Sequence, residues 1–436
     1  MAVQNGDKSS CQLEDYDLVL LTACDIHGVA RGRFIFKRSV QGFVRNGLGM
    51  TQASLFSGIM CDIPLNLTAY AKEGWSNGTL IPDTDTLRPL SWLSYGGKKV
   101  GHLLCDLLSS KGEPEVAMPR TVAVSQLKAL NDIGYDISVS LQLEFVILKK
   151  DSIIPISLHE DISQLNNTLL RALHDSGVPV VSIGKGAEPG KLQISLDSLQ
   201  GIEVADCVHR LRNMLKSLCG NAGYDITYMT KPLPTVSSNG STYIYTLIDK
   251  EGRNVFASSK NKNELSELGQ QWVAGSLKHQ AAVTGLLRPT LNCYTGEADE
   301  QDLNISWTSE SSNRKARLKL DLTNDGPQIA DALPTSASNP YIVLGAIVAA
   351  GMDGLVTKLS LPVELSDSPS AEKGPSSLLE SLSVLEKDTV FKSGIFSKFV
   401  ERFILLKKEF EIGRLEKKND SEDNFTFERS IYLKYL

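Results

Sequence analysis

Cysteine is sparse and scattered in this chain: seven residues, at positions 11, 24, 61, 105, 207, 219 and 293, with no CxxC pair. An odd, dispersed set offers neither a disulfide frame nor the paired thiolates of a zinc site. It predicts reduced thiols in a cytoplasmic protein. Long apolar runs are missing as well. The most hydrophobic stretch, residues 341–352, falls short of the roughly 20 residues a bilayer-spanning helix needs and carries Gly345 and Gly351. The opening MAVQNGDKSSCQLEDYD has no apolar core, so no signal peptide is expected. Nor is there an excess of basic charge. Lys and Arg number 45 against 51 Asp and Glu, a net charge of −6, which argues against a nucleic-acid partner. The pairs Lys98-Lys99 and Lys407-Lys408 have acidic neighbours and read as solvated surface.

What is present is ordinary globular composition: 436 residues, 42% hydrophobic and 22% charged, enough for two or three domains. Residues 1–15 read as a disordered tail. Residues 16–112 show short apolar runs (18–21, 32–36, 100–105) punctuated by Gly, Pro and Asn, the pattern of a small, mostly β unit. Lys111-Gly112-Glu113-Pro114 marks a boundary, and Pro119 opens a helix over 121–133. Residues 113–436 then alternate strands and helices, giving an α+β class overall. In residues 137–145, Ile137, Val139, Leu141, Leu143 and Phe145 alternate with Ser138, Ser140, Gln142 and Glu144. One face of that strand must pack on a core; the other faces water or a site. Helical periodicity is clear in Val204, Val208, Leu211, Leu215 and Leu218, and again in Leu265, Leu268, Trp272 and Leu277, a helix that ends before Pro289. Residues 364–377, rich in Ser and Pro, read as a loop. The last fifty residues read as helical, with Phe399, Phe403, Leu406 and Phe410 on one stripe.

Several segments, in fixed order, carry a family likeness. They are Asp25-Ile26-His27-Gly28-Val29-Ala30-Arg31-Gly32-Arg33, Gln142-Leu143-Glu144-Phe145, Lys231-Pro232 with Asn239-Gly240-Ser241, and Pro289 with Asn292-Cys293-Tyr294. Trp307 with Asn313-Arg314, and Asn339-Pro340-Tyr341 with Ala350-Gly351-Met352-Asp353-Gly354, complete the series. Together they resemble the glutamine synthetase family, and the resemblance spans essentially the whole chain. It implies a small N-terminal β-grasp domain followed by a catalytic-fold domain, an antiparallel sheet flanked by helices.

The chemistry of that family phosphorylates a glutamate side chain with ATP and displaces the phosphate with ammonia. Such anionic species require divalent cations held by several carboxylates, and arginines on the phosphoryl group. By the resemblance, the metal-ligand positions fall on Gln142, Glu144, Lys185, Gln193, on Thr242 or Ile244, and on Ala330, so that Glu144 alone keeps a metal-binding side chain. Gln142 and Gln193 are neutral amides, and a lysine at 185 would repel a cation. Ala332 replaces an arginine, and Asp331 is one residue out of phase with the missing carboxylate, so it should point to the other side of its strand. Thr295 and Gly296 stand where the family has Lys-Arg. Arg314 and Lys319 are residual phosphate-binding candidates, and Asp302 falls roughly on the family's flap glutamate.

This pattern implies a catalytically degenerate member, similar to a lens branch of the family regarded as non-catalytic and structural. No cofactor is expected to be required; residual Mg or ATP binding would rest on Glu144, Arg314 and Lys319. The implied partner is the chain itself, as stacked rings in a decamer or dodecamer, with no nucleic acid, no membrane and an unknown client. Two alternatives remain open: an ATP-dependent glutamate–amine ligase of altered chemistry, or a ligand- or partner-binding module using the emptied pocket. His159-Glu160-Asp161 reads as a polar turn, His279 as a surface residue, and Cys293 as a thiol beside the old pocket with no His or second Cys near it in sequence.

Overall fold

The computed structural model describes residues 13–63, 77–93, 96–156, 162–186, 188–295, 304–310, 313, 316–365, 372–418 and 423–436; for 162–168 and 304 it gives the backbone alone. Arg314, Gly296, Asp302 and His159-Glu160-Asp161 lie outside them, as do residues 1–12 of the expected tail.

The N-terminal apolar runs become strands β1 (Leu18–Cys24), β2 (Ala30–Phe36), β3 (Leu48–Thr51), β4 (Asn77–Pro89) and β5 (Val100–Leu108). They form one sheet in the order β2-β1-β5-β4-β3, with β1 and β5 parallel and a helix, Lys37–Asn46, between β2 and β3. The β1–β2 turn explains why Asp25, Gly28 and Arg31 recur at their spacing. One Asp25 oxygen accepts from the His27 and Val29 amides at 2.9 Å each, and the other from Arg31 Nε at 2.9 Å. Gly28 takes φ of 92°, a conformation a side chain would strain, and a Cβ there would stand 3.4 Å from the Asn339 α-carbon.

The second sheet comprises β6 (Asp136–Lys149), β7 (Val180–Lys185), β8 (Lys191–Gln200), β9 (Tyr224–Thr227), β10 (Ser241–Ile248), β11 (Asn304–Thr308), β12 (Ala316–Thr323), β13 (Gly326–Asp331) and β14 (Glu372–Lys373). Its order is β14-β11-β12-β13-β10-β6-β8-β7, with β9 on β6, antiparallel except where β11 meets β12. The alternation along β6 is realised: Ile137, Val139, Leu141, Leu143 and Phe145 are all buried, while Gln142 is exposed. Helices Pro119–Asp132, Glu203–Asn221, Glu267–Lys278 and Pro340–Thr357 join the main core with that face.

The apolar stretch at 341–352 extends to an 18-residue helix, Pro340–Thr357, capped by Asn339 Oδ1 accepting from Tyr341 N at 3.1 Å. Among the described residues it alone has the length and apolarity to cross a membrane, but it is buried in the core, as an all-round apolar helix must be in a globular unit. It crosses the Glu267–Lys278 helix almost backbone to backbone. A Cβ on Gly351 would stand 2.1 Å from the Trp272 ring, and one on Gly354 2.0 Å from Gln271 O, so glycine is required at both.

Two surface expectations fail here. Lys407 is buried, its Nζ paired with Glu411 one turn on, and Glu411 also accepts from Tyr432 OH; only Lys408 stays outside, paired with Glu386 at 2.9 Å. His279 is also buried, at the break between Glu267–Lys278 and Gln280–Leu287. Its Nδ1 lies 2.7 Å from Asp388 and its Nε2 2.9 Å from Asp353. Burial alone would lower its pKa, but the two carboxylates outweigh burial and raise it. Burial likewise works against both carboxylates, yet their bonds, with Lys278 adding to Asp353, hold them below the usual range. A raised histidine pKa stabilises the fold below its unfolded value near 6.5 and loses that contribution as pH rises through the folded value. The melting temperature is therefore expected to fall as pH is raised from about 6.5 to about 8.5. In His279→Gln that fall should flatten, measured by scanning fluorimetry across pH; an unchanged slope would discard the clamp.

Candidate functional site

The polar face of the second sheet opens into a cavity of about 250 Å³. Gln142 and Glu144 of β6, Gln193 of β8, Thr242 of β10, Arg288 and Ala332 line it, together with the Ser238–Gly240 and Leu333–Thr335 segments. Strand register explains the gathering: Gln142 pairs with Thr242 on one side and Ser195 on the other, and Glu144 pairs with Gln193. Directly paired residues share a face, so five of the positions singled out from sequence meet here. Thr242 faces the cavity; Ile244 lies farther along the same face, paired with Ala330 and Ser140. Ala330 and Lys319 are paired across β12–β13 on that face, but neither lines the cavity. Asp331 points the other way, into the core, where Arg317 Nη2 meets it at 2.6 Å.

The lysine reading needs correcting. Lys185 ends β7 and is exposed, and its pairing with Leu192 puts it on the side of the sheet away from Gln193. It does not reach the cavity, so it cannot be the cation that repels a metal there. Lys191, which shares a face with Gln193 two residues on, is the lysine that reaches Glu144. Its ammonium is buried and lies 3.2 Å from Glu144 Oε2 and 3.8 Å from Glu188 Oε2, and it donates to Ser237 Oγ at 2.7 Å and Ser238 O at 3.0 Å. Glu144 Oε2 also accepts from Gly240 N at 2.9 Å. The one carboxylate on the cavity wall is thus bonded to a backbone amide and neutralised by an ammonium within the chain.

Arg288 escaped the sequence reading. It closes the Gln280–Leu287 helix just before Pro289, with φ −127° and ψ 70°, outside the helical region as a residue before proline favours, and it lines the cavity with its guanidinium 5.3 Å from the Tyr294 ring centroid. The signal was present as a charged residue fixed by the following proline. Cys293 sits behind the wall, buried, with its sulfur 3.1 Å from the hydroxyls of both Thr230 and Thr290. The other retained motifs hold this frame together. Asn292 Oδ1 accepts from Lys231 N at 2.7 Å, and its amide donates to Lys231 O at 2.9 Å and to Glu428 at 2.7 Å. Thr295, in the family's lysine position, hydrogen-bonds the same Glu428, whose pKa burial raises.

The donor set does not fit a pair of divalent ions. At the five predicted positions the cavity offers two neutral amides, a threonine hydroxyl, an alanine and one carboxylate already ion-paired, and Arg288 adds a positive charge to its wall. Among the described residues no group of three or more His, Cys, Asp or Glu side chains is disposed to hold a metal. Hard cations need several anionic oxygens.

A β-grasp sheet leading into a largely antiparallel sheet, with a cavity on its polar face bounded by the Ser238–Gly240 and Leu333–Thr335 segments, is the architecture of a ligase fold. Residues 116–424 match the glutamine synthetase catalytic domain, and the chain belongs to the glutamine synthetase family. It is 27% identical to lengsin of Rattus norvegicus over 427 residues, 93% of this chain and 74% of that one. It is 24% identical to a glutamine synthetase of Halobacterium salinarum, over 93% and 95% of the two chains. Its fold overlays that of a crystal structure described as a novel glutamine synthase homolog with a TM-score of 0.84 at 19% identity, covering 96% and 99%.

Proposed function

We propose that this chain is a glutamine synthetase-like pseudoenzyme, a homo-oligomeric scaffold in stacked rings of decameric or dodecameric size with no glutamine synthetase activity. The observation that carries this reading is the Lys191–Glu144 pair at 3.2 Å. A tethered ammonium offsets the last carboxylate, as a metal would, but it brings no open coordination position and no Lewis acidity. The neutral side chains of Gln142, Gln193 and Thr242 fit the same picture. Neutral groups can share a sheet face without the repulsion that clustered carboxylates suffer when no metal is bound. The likeness to lengsin is consistent with such a role.

The test is γ-glutamyl hydroxamate formation from glutamate, ATP and hydroxylamine with Mg²⁺ or Mn²⁺, alongside sedimentation of the assembly. Turnover at the buffer level and a large discrete particle are expected. Turnover well above buffer would overturn the reading and favour an amine ligase of altered chemistry. A second reading, a ligand-binding module, is favoured by the persistence of the 250 Å³ cavity with Arg288 on its wall. A melting temperature raised by a small carboxylate, and lost in Arg288→Gln, would select it.

A further inference from the structure

A second cavity, larger than the first at about 340 Å³, lies between β4 of the first sheet and the Glu203–Asn221 helix. That volume falls within the roughly 300–1,000 Å³ of pockets that take small molecules. Trp92, Val178, Leu199 and Met214 give it an apolar body. Arg88, Arg210, Asp85 and Glu203 stand around that body. The other ions of the wall are already matched, since Arg120 bonds Asp83 at 2.8 Å and Asp206 at 3.0 Å. Arg88 and Arg210 are instead placed by main-chain carbonyls. Arg88 Nη1 donates to Leu87 O at 2.8 Å and to Asp85 O at 3.2 Å, and Arg210 Nη2 donates to Thr86 O. Among the described residues neither arginine is ion-paired with Asp85 or Glu203, although the four share one cavity.

The charges are close without being joined. Both arginines and Glu203 act on the Cys207 thiol of the same wall, whose pKa burial pushes up to about 12, the arginines opposing and Asp206 and Glu203 adding. Two N–H groups of lining residues, Trp92 Nε1 and Arg210 Nε, have no acceptor among the described residues. Guanidinium groups with an indole N–H form a donor set for a carboxylate, and a pair of carboxylates suits an ammonium. Two positive and two negative groups remain once Arg120 is matched, so the cavity favours neither a plain anion nor a plain cation. We propose that it binds a zwitterion with an apolar body, an α-amino acid of leucine to phenylalanine size. Its carboxylate meets Arg88 and Arg210, its ammonium Asp85 and Glu203, and its side chain the apolar surface of Trp92, Leu199 and Met214. The site is separate from the sheet-face cavity, so it stands whether or not that face is catalytic. An occupant would bridge β4 to the Glu203–Asn221 helix and add to the bonds Arg120 makes there.

The test is calorimetric titration of the full chain with leucine and with phenylalanine, with indole fluorescence as a second readout. Three further probes each lack one feature: leucinamide the carboxylate, 4-methylpentanoate the ammonium and glycine the apolar body. Saturable binding of leucine or phenylalanine is expected, with each of the three probes weaker by about tenfold or more. Arg88→Gln, at an exposed position that leaves folding intact, should weaken binding by about tenfold. Trp92→Phe, which keeps a ring and loses only the N–H, should weaken it by about threefold. Binding of 4-methylpentanoate as tight as that of leucine would overturn the zwitterion in favour of a plain carboxylate. Absence of saturable binding by the wild-type chain, or binding unchanged in both variants, would overturn the site itself.

Discussion

Asp331→Ala is expected to destabilise the chain by about 3–5 kcal/mol, because it strands a guanidinium in the core. Arg317 and Asp331 are both essentially without solvent exposure, joined by two bonds of 2.9 and 2.6 Å. Arg317 Nη1 also donates to Ser276 O at 3.2 Å, and Asp331 Oδ1 accepts from Leu333 N at 3.0 Å. The pair therefore ties β12 and β13 to the Glu267–Lys278 helix and fixes the strand whose far face carries Ala330. The cost comes from the unpaired charge left behind more than from the bond removed. The double variant Arg317→Met/Asp331→Leu should accordingly regain most of the loss. Denaturant unfolding of the three proteins decides it. A loss below about 1 kcal/mol in Asp331→Ala would mean that water reaches Arg317 and that the pair is a minor feature.

The largest functional change is expected from Lys191→Gln. It removes the ammonium 3.2 Å from Glu144 while leaving a side chain able to bond Ser237. A divalent ion approaching Glu144 in the wild-type chain meets a positive charge inside ion-pairing distance, which even at intermediate dielectric amounts to several kcal/mol. Mn²⁺ affinity should rise on the order of tenfold or more in the variant. It should rise again when Gln142→Glu and Gln193→Glu add carboxylates on the same face. The losses of bonds to Glu144 and Ser238 should cost about 1–3 kcal/mol of stability. Paramagnetic relaxation of water protons by Mn²⁺ reads the affinity without any assay of turnover. Equal Mn²⁺ binding by Lys191→Gln and wild type, both folded, would show that the lysine does not stand in for a metal.

The contrast between what the residues announced and what they concealed has a physical cause. The alternation along 137–145 was legible because a pleat is dictated by neighbours in sequence, whereas the Asp25 and Asn339 segments stood out only as motifs of the family, and the structure shows one to be a turn and the other a helix cap. Lys185 and Lys191 could not be told apart that way. Which of them reaches Glu144 depends on the β7–β8 register, in which Gly184 pairs with Gln193. Pairing register is set by distant packing rather than by the five residues between the two lysines. His279 was misjudged because the helix carrying Leu265, Leu268, Trp272 and Leu277 read as continuing unbroken until just before Pro289. The break at His279, and the carboxylates of Asp353 and Asp388 that make its burial tolerable, come from elsewhere in the chain. Lys407 misled for the same reason, since its partner Glu411 is shared with Tyr432 of the last helix, Asn424–Tyr432.

Arg120 carries a consequence for the boundary placed near residue 112. Standing at the start of the Pro119–Asp132 helix, it bonds Asp83 of β4 and Asp106 of β5 at 2.8 Å each, and Asp206 at 3.0 Å; Tyr341 OH meets the same Asp206 at 2.7 Å. One guanidinium is thus shared by two inner strands of the first sheet, a helix of the second unit and, through Asp206, the central core helix. A seam stitched by a buried ion resists partial opening, since parting either side exposes carboxylates and strands the cation at once. The composition marks two domains, but mechanically they should behave as one body: pulled from its ends, the chain would give way in a single event, with no intermediate in which the first sheet has peeled off.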